Sequence, residues 1–137
     1  MYSYTTRVRV RYNETDRMGY LHHGVYPAYF EIGRTEMLRS LGMTYREMED
    51  DGIVLPVSDL KIQYLSPAFY DDVLTVTTIL RHKPGVRLIF EYEIINETGI
   101  LVCKGESTLV FVNAKTRKPT RAPEHFIKKI SPYFENS

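Results

Sequence analysis

The sequence of 137 residues contains a single cysteine, Cys103, and no long apolar run. One cysteine excludes an intramolecular disulfide and fits a reducing cytoplasm, so we expect Cys103 to be a small apolar residue in a strand. The longest apolar stretch, residues 52–57, is far shorter than the roughly 20 residues of a membrane-spanning helix. Residues 1–12 alternate charged and apolar side chains and lack the apolar core of a signal peptide. These absences predict a cytoplasmic protein without a membrane span.

The chain also lacks a surplus of either charge, with 18 basic and 17 acidic side chains and a net charge of +1. Binding to duplex nucleic acid favours a basic surplus, so this balance argues against nucleic acid as the main partner and leaves open only a small local basic patch. Hydrophobic residues make up 43% of the chain and charged residues 26%, which is typical of a globular protein. A chain of this length buries about two-thirds of its unfolded surface in one core. We therefore predict a single domain over residues 1–137.

Several catalytic and cofactor motifs are absent. The sequence contains neither a glycine-rich phosphate-binding loop nor a serine in a G-x-S-x-G turn. His22 and His23 are adjacent rather than one helical turn apart, and no second pair of histidines or cysteines follows them. That spacing argues against a zinc site, and neither a metal nor a cofactor is predicted.

The strongest helical pattern covers residues 26–41. Apolar residues recur there every three or four positions, the spacing of one helix face: Tyr26, Phe30, Gly33, Met37 and Leu41. A glycine inside a helix costs about 1 kcal/mol relative to alanine, so we expect Gly33 to let a neighbouring element approach closely. Gly42 follows at the position where a left-handed glycine ends a helix. The pattern predicts one long helix.

Most of the remaining chain is predicted to form strands. Alternating or β-branched stretches separated by short turns predict strands over residues 5–13, 53–64 (with a possible bend at Pro56), 73–82, 86–95 and 100–113. A capping box at Thr44–Glu47 predicts a short helix, and residues 123–130 predict another. Short turns favour antiparallel pairing over βαβ units. The simplest arrangement is an α+β fold with a curved antiparallel sheet against one long helix.

Two features of this arrangement concern partners and pockets. The strand over residues 100–113 is apolar on both faces, and one helix covers only one of them, so we predict at least a homodimer. We interpret the charged residues Glu31, Arg34 and Glu36 as surface or interface ion pairs, with Glu31 and Arg34 one turn apart. Tyrosines that could line an amphipathic pocket are Tyr12, Tyr20, Tyr26, Tyr29 and Tyr64.

The loop before the long helix contains the candidate catalytic residues. Asp16 and His23 are seven residues apart in a loop that leads into the start of the helix. At a helix start, unpaired N–H groups and the positive end of the helix dipole can polarise a carbonyl. A carboxylate there acts as general base or nucleophile, and an imidazole orients the substrate or moves a proton. These groups suit hydrolysis of an acyl bond. The alternative is that Asp16, close to a glycine in a turn, only forms an Asx-turn.

Specific segments carry a resemblance to a known family: VRYNETD at 10–16, Gly19, His22–His23, Tyr26, YFE at 29–31, RTE at 34–36 and PAFYDD at 67–72. Together they resemble the acyl-CoA thioesterases of the hot-dog fold, in the branch of 4-hydroxybenzoyl-CoA thioesterase and YbgC-like proteins. The resemblance spans about residues 5–125. The branch usually carries a second glycine where this chain has Met18, a difference that affects the pocket.

The resemblance implies a fold, a site and an assembly. A long central helix is wrapped by a five-stranded antiparallel sheet, two subunits join their sheets edge to edge with active sites at the interface, and pairs of dimers form a homotetramer. Asp16 corresponds to the base or nucleophile. His23 corresponds to the residue whose amide polarises the thioester carbonyl and whose imidazole is also implicated, and Tyr12 to a tyrosine in the site. The family uses no metal, and its CoA is a substrate rather than a cofactor.

The resemblance also implies a cytoplasmic role in lipid metabolism with acyl-CoA as substrate, an acyl carrier protein being a possible donor. Lys61, Lys83 and Arg87 are candidates for binding the CoA phosphates. Two alternatives remain at this point: a non-catalytic module that binds acyl-CoA or acyl carrier protein, and a hot-dog hydratase. The hydratases place their catalytic histidine in other local patterns, such as an Asp followed five residues later by a His.

Overall fold

The computed structural model describes residues 1–134; the last three residues of the predicted domain, 135–137, lie outside the described residues. The helices are α1 (Tyr26–Ser40), α2 (Tyr45–Asp50) and α3 (Glu124–Ile130). The strands are β1 (Tyr2–Arg9), β2 (Ile53–Val54), β3 (Val57–Tyr64), β4 (Val73–Leu80), β5 (Arg87–Ile95), β6 (Leu101–Val110) and β7 (Val112–Asn113). Short 3₁₀ turns cover Tyr12–Glu14, His23–Val25 and Ser131–Tyr133.

Five strands form one antiparallel sheet in the order β1-β4-β5-β6-β3. The predicted strand over residues 53–64 is divided around Pro56 into β2 and β3, and the predicted strand over 100–113 is divided into β6 and β7. The two short pieces, β2 and β7, pair with each other in a second small sheet. The predicted α+β arrangement, a long helix and a five-stranded antiparallel sheet, is confirmed.

Helix α1 packs against β1, β4 and β5. Its buried residues are Tyr26, Tyr29, Phe30, Gly33, Met37 and Leu38, so the predicted apolar face is confirmed, while Leu41 lies just beyond the helix end. Gly42 has φ +79°, and the Met43 amide donates to the Leu38 carbonyl at 2.9 Å. The helix therefore ends as the sequence predicted.

Gly33 marks a close approach between α1 and the sheet. A Cβ built there would overlap Thr78 Oγ1 and lie 3.0 Å from Val76 Cγ1, both on β4. Only a residue without a side chain allows this spacing. The predicted role of Gly33 is confirmed, and the cost of glycine to helix propensity is offset by closer packing.

Part of the exposed apolar surface lies at an edge of the sheet. On the outer face of β6 the central residues Lys104, Glu106 and Thr108 are polar, so the predicted broad apolar face is wrong there. Strand β3 forms an edge of the sheet, and its side chains Leu60 and Tyr64, which share one face, are 39% and 49% exposed. Exposed apolar side chains therefore lie along this edge strand.

Cys103 is fully buried in β6, which confirms its predicted position as a small apolar residue in a strand. Burial raises the pKa of its thiol to about 12. No helix within residues 1–134 has the length and apolar character needed to cross a membrane.

Candidate active site

The loop that carries Asp16 is a tight turn held by its own backbone. The Asp16 amide donates to the Tyr20 carbonyl at 2.8 Å, and the Gly19 amide donates to the Asp16 carbonyl at 3.0 Å. Gly19 has φ +81°, a conformation that glycine adopts without strain. Tyr20 also forms a β-bridge with Phe69, which joins the loop to the corner between β3 and β4.

One oxygen of the Asp16 carboxylate is hydrogen-bonded within the loop, and the other is free to contact a substrate. Oδ1 accepts hydrogen bonds from the amides of Met18 at 2.9 Å and Tyr20 at 3.2 Å, so the Asx-turn alternative describes this oxygen correctly. Oδ2 has no hydrogen-bond partner among residues 1–134. One oxygen thus fixes the loop and leaves the other for chemistry.

Asp16 and His23 line the same cavity, of about 320 Å³. The other lining residues are Met18, Tyr20, Leu21, Tyr26, Tyr64, Leu65, Ser66 and Pro67. The structure thus brings together two of the three predicted site residues. Met18 is on the wall, as expected for a difference that affects the pocket. Leu65, Ser66 and Pro67 were given no site role from sequence, because their part depends on how the β3–β4 corner folds back.

His23 begins the 3₁₀ turn that leads into α1. The preceding His22 caps this turn: its Nδ1 accepts from the Gly24 amide at 2.9 Å. The His23 amide N–H has no acceptor within the described residues, as is usual for the first N–H groups of a helix. Its imidazole stacks on that of His22 with ring centroids 4.3 Å apart. An unpaired N–H at the start of a helix is the kind of donor that polarises a carbonyl.

Tyr64 joins the edge strand to the start of the helix. Its hydroxyl donates to the His23 carbonyl at 2.8 Å, and its ring meets Tyr26 edge-on at 5.2 Å. Burial raises the pKa of Tyr26, so this phenol stays neutral. The sequence placed Tyr64 among possible pocket residues, but its contact with a residue 41 positions away depends on the fold.

Glu14 positions the loop and was not identified from the sequence. Its Oε1 accepts from the Tyr29 hydroxyl at 2.7 Å and from the Arg11 amide at 2.8 Å. Its carbonyl accepts from the His22 amide at 2.8 Å. Burial, and next the bond to Glu14, raise the pKa of Tyr29, which keeps the phenol a donor.

Tyr12 lies outside the Asp16 cavity. Its side chain is 77% exposed, and its ring meets Tyr70 edge-on at 5.5 Å. The three basic residues suggested for CoA phosphates, Lys61, Lys83 and Arg87, are exposed and do not line the cavity either. Within residues 1–134 no three His, Cys, Asp or Glu side chains are grouped so that they could hold a metal ion.

Comparison with known proteins identifies clear relatives. Residues 10–130 match the family model described as the thioesterase-like superfamily. The chain is 34% identical over 119 residues to the putative acyl-CoA thioesterase YneP of Bacillus subtilis, covering 87% of this chain and 86% of that protein. It is 31% identical over 123 residues to the acyl-CoA thioester hydrolase YbgC of Escherichia coli, covering 90% and 92%. The solved structure of a DHNA-CoA thioesterase from Staphylococcus aureus matches with a TM-score of 0.84 and 34% identity, covering 99% and 86%.

Proposed function

The chain belongs to the thioesterase-like superfamily and is an acyl-CoA thioester hydrolase of the hot-dog fold, and we propose that Asp16 and the start of α1 cleave its substrate. The observation that carries the proposal is the shared cavity of Asp16 and His23. Oδ2 of Asp16 and the amide N–H of His23 both lack partners among the described residues, so both are available to a substrate.

The proposed reaction begins with the thioester carbonyl oxygen at the His23 amide. The amide and the helix dipole stabilise the negative charge that develops on this oxygen. Asp16 either removes a proton from the attacking water or itself attacks the carbonyl carbon and displaces the CoA sulfur, giving an anhydride that water then hydrolyses. The C–S bond breaks, the CoA sulfur takes a proton, and the free acid leaves. The His23 imidazole orients the substrate or supplies that proton.

An isotope experiment separates the two roles of Asp16. In single-turnover cleavage in H₂¹⁸O, an anhydride that water opens at the Asp16 carbonyl carbon leaves ¹⁸O in Asp16, whereas one opened at the acyl carbon puts ¹⁸O in the released acid. Label in Asp16 therefore identifies attack by the carboxylate. General-base catalysis puts ¹⁸O only in the released acid. Mass spectrometry of the peptide that contains Asp16 gives the answer. If the Asp16→Asn protein cleaves acyl-CoA at the normal rate, neither role holds.

We further propose that two copies join edge to edge through β3, with pairs of dimers forming a tetramer. The exposed Leu60 and Tyr64 on this edge support the dimer. Sedimentation of the wild-type protein and of Leu60→Lys tests it, with Val86→Lys as an equally exposed control. A monomeric wild-type protein contradicts the proposal.

The remaining proposals concern the donor, the location and Tyr12. Parallel assays with acyl-CoA and acyl carrier protein thioesters decide which donor is preferred. Cell fractionation tests a cytoplasmic location.

Tyr12 stays a proposed site residue, since its exposed ring is accessible to a bound substrate. A Tyr12→Phe protein with unchanged kcat/KM would remove its hydroxyl from the mechanism.

A further inference from the structure

Strand β1 has a neighbouring strand on one side only. It pairs with β4 and forms the edge of the sheet opposite to β3. Val10, just after the strand, donates to the Asp72 carbonyl at 2.9 Å and accepts from the Asp71 amide at 3.0 Å, so its backbone faces the β4 side. Successive residues of a strand direct their N–H and C=O groups alternately to either side. Those of Arg7 and Arg9 therefore point away from the sheet.

The outward backbone groups of Arg7 and Arg9 form an open edge. Within residues 1–134 they have no hydrogen-bond partner outside the pairing of β1 with β4. The open edge ends at Arg11, whose N–H donates to Glu14 Oε1 at 2.8 Å and whose carbonyl accepts from the Glu14 amide at 3.0 Å. At the other end the N-terminal amino group donates to the Tyr133 carbonyl at 2.7 Å. An open edge of this kind is a template for pairing with another strand.

A groove follows the open edge between β1 and α1. It consists of two cavities, of about 550 and 340 Å³, that share Val8, Arg11 and Ile32. Val8 is half-buried, and Ile32 of α1 is 36% exposed. In proteins that bind a peptide by adding it to a sheet edge, main-chain hydrogen bonds give affinity, and pockets for alternate side chains give specificity. The edge and the groove supply both.

The two sides of the open edge differ in charge. Arg7 and Arg9 are exposed and alternate with the half-buried residues of β1, so both lie on the outer face. Arg9 forms an exposed ion pair with Asp71 at 3.0 Å, and Arg7 forms none within residues 1–134. On the helix side, Glu31 and Glu36 line the groove. A strand added here meets positive charge on its outer face only.

The helix side does not favour an acidic side chain. Glu36 pairs with Arg39 at 3.5 Å, as its interpretation as a surface ion pair predicts. Glu31 forms no ion pair with Arg34 within residues 1–134, and Arg34 lies instead on the wall of a separate cavity beside Tyr45. The carboxylate of Glu31 therefore disfavours a second carboxylate in the groove, whose apolar surface accepts an apolar side chain.

The arginines also decide between a second copy of this chain and a different partner. Two copies paired through β1 about a two-fold axis at Arg7 would place arginines opposite one another, and like charges directly opposite destabilise a sheet. Carboxylates at those positions form opposite-charge pairs instead. We infer that the open edge of β1 binds an extended segment of another protein in which Asp or Glu alternates with apolar residues.

The bound segment extends the sheet by one strand. Its main chain exchanges hydrogen bonds with the outward N–H and C=O groups of Arg7 and Arg9. Its acidic side chains lie on the outer face beside these arginines, and its apolar side chains face Val8 and Ile32. The inference goes beyond the proposed function, because it uses no proposed catalytic residue and leaves the β3 edge free for the proposed dimer.

The first test measures the binding of fluorescently labelled synthetic peptides to the wild-type protein by anisotropy, at about 0.15 M salt to screen weak charge attraction. EVEVEVE has the inferred alternation. KVKVKVK reverses its charge, and EEVVVEE keeps its composition and charge without the alternation. We expect EVEVEVE to bind at least about tenfold more tightly than either control peptide. Equal affinity for EVEVEVE and EEVVVEE, or no binding of EVEVEVE, overturns the inference.

The second test changes the charge of the edge. Arg7 is exposed and forms no ion pair in the part of the chain that the structure describes, so Arg7→Glu should keep the fold, which thermal unfolding checks. This variant should bind EVEVEVE at least about tenfold more weakly. Arg46→Glu, at an exposed position of α2, makes the same charge change and should bind as the wild type does. Equal binding by the two variants means that Arg7 does not contact the peptide, and the inference fails.

Amide hydrogen exchange distinguishes an added strand from attraction between charges. In the free protein the outward amides of Arg7 and Arg9 should exchange rapidly, because no acceptor protects them. Saturating EVEVEVE should slow the exchange of both at least about tenfold, since each then donates to the peptide. Mass spectrometry of fragments that cover β1 measures the change. Binding that leaves these amides unprotected overturns the inference.

Sedimentation separates the inference from self-association and from the proposed function. The wild-type and Arg7→Glu proteins should have the same oligomeric state, because the proposed dimer uses β3. Dissociation of the assembly by Arg7→Glu would identify a second copy of this chain as the occupant and overturn the inference. Asp16→Asn should bind EVEVEVE as the wild type does, so a failure of the proposed catalytic role leaves the inference standing.

Discussion

The Tyr29 hydroxyl donates a 2.7 Å hydrogen bond to Glu14 Oε1, across 15 residues of chain, and so ties α1 to the loop that precedes Asp16. The same Glu14 oxygen accepts from the Arg11 amide. Farther along the loop, Asp16 Oδ1 accepts from the amides of Met18 and Tyr20. The loop is thus held at two points, one on a buried phenol and one on its own backbone.

Replacing Asp16 with Asn separates its chemical from its structural role. The amide oxygen of Asn still accepts from Met18 and Tyr20, so the turn and the melting temperature should be retained. The side chain no longer acts as base or nucleophile, and we expect thioester cleavage to fall at least about a hundredfold. CoA release and thermal unfolding measure the two effects. Asp50→Asn, at an exposed position of α2, is the matched control. Near-normal turnover would remove Asp16 from the mechanism.

The Tyr29–Glu14 bond is tested by a double-mutant cycle of Tyr29→Phe and Glu14→Gln. Hydrogen bonds to a charged group contribute about 1.5–3 kcal/mol, and this one is partly buried, so each single variant should lose about 1–2 kcal/mol of unfolding free energy. The double variant should lose less than the sum, with a coupling of about 1 kcal/mol. Denaturant unfolding gives these values. Strict additivity would mean that the bond does not form in solution.

Tyr64→Phe removes the hydroxyl that donates to the His23 carbonyl. The bond is exposed, so we expect a loss of unfolding free energy of only about 0.5–1 kcal/mol. The start of α1 becomes less well positioned against the substrate carbonyl, which should reduce kcat more than it raises KM. Steady-state kinetics check this, with Tyr133→Phe as a control far from the cavity. A variant that changes KM alone contradicts the positioning role.

Gly33→Ala should destabilise the protein by about 1–3 kcal/mol, because the new methyl group overlaps Thr78 Oγ1 and crowds Val76. Gly85→Ala is the control, since nothing lies within 4 Å of a Cβ there. Thermal or denaturant unfolding of both variants gives the comparison. An unchanged or raised stability of Gly33→Ala would show that α1 and β4 are farther apart in solution than described.

Cys103 should not react with a thiol reagent in the native protein. Its side chain is buried, and with a pKa of about 12 only roughly one thiol in ten thousand is ionised at pH 8. Because the folded-state pKa lies above that of the unfolded chain, alkaline pH above about 8.5 favours unfolding through this group. Labelling with a thiol reagent, with and without denaturant, compares the reactivity of Cys103 in the native and the unfolded protein. Fast native labelling would contradict the burial of Cys103.

The fold could be predicted well where a pattern is local. The period of α1, the tight turns and the helix-ending Gly42 each depend on neighbours in sequence, and all were predicted correctly. Gly33 was also predicted correctly, because a glycine inside a helix pattern indicates a close approach even though its neighbour, β4, is distant in sequence. The outer face of β6 was less predictable. The outer face of β6 is apolar at its ends and polar at its centre, at Lys104 and Glu106, and the sequence pattern was dominated by the apolar ends. Only the strand register decides which residues share that face.

The candidate site was predictable in part for the same reason. Asp16 and His23 lie on one continuous loop, so their spacing and the family resemblance were sufficient to pair them on one cavity. Glu14 was given no role and Arg34 was interpreted as part of a surface or interface ion pair, because their contacts come from elements that meet only in the folded chain. Charged residues look alike in sequence whether they lie in solvent or on a cavity wall.

Tyr64 belongs at once to the edge of the sheet and to the wall of the cleft. In the proposed assembly and reaction, a molecule that binds along β3 would restrict the same side chain that lines the substrate cavity. By thermodynamic linkage, each event changes the affinity of the other by the same factor. Substrate should therefore shift the oligomerisation equilibrium, and dilution of the enzyme should alter its apparent affinity for substrate.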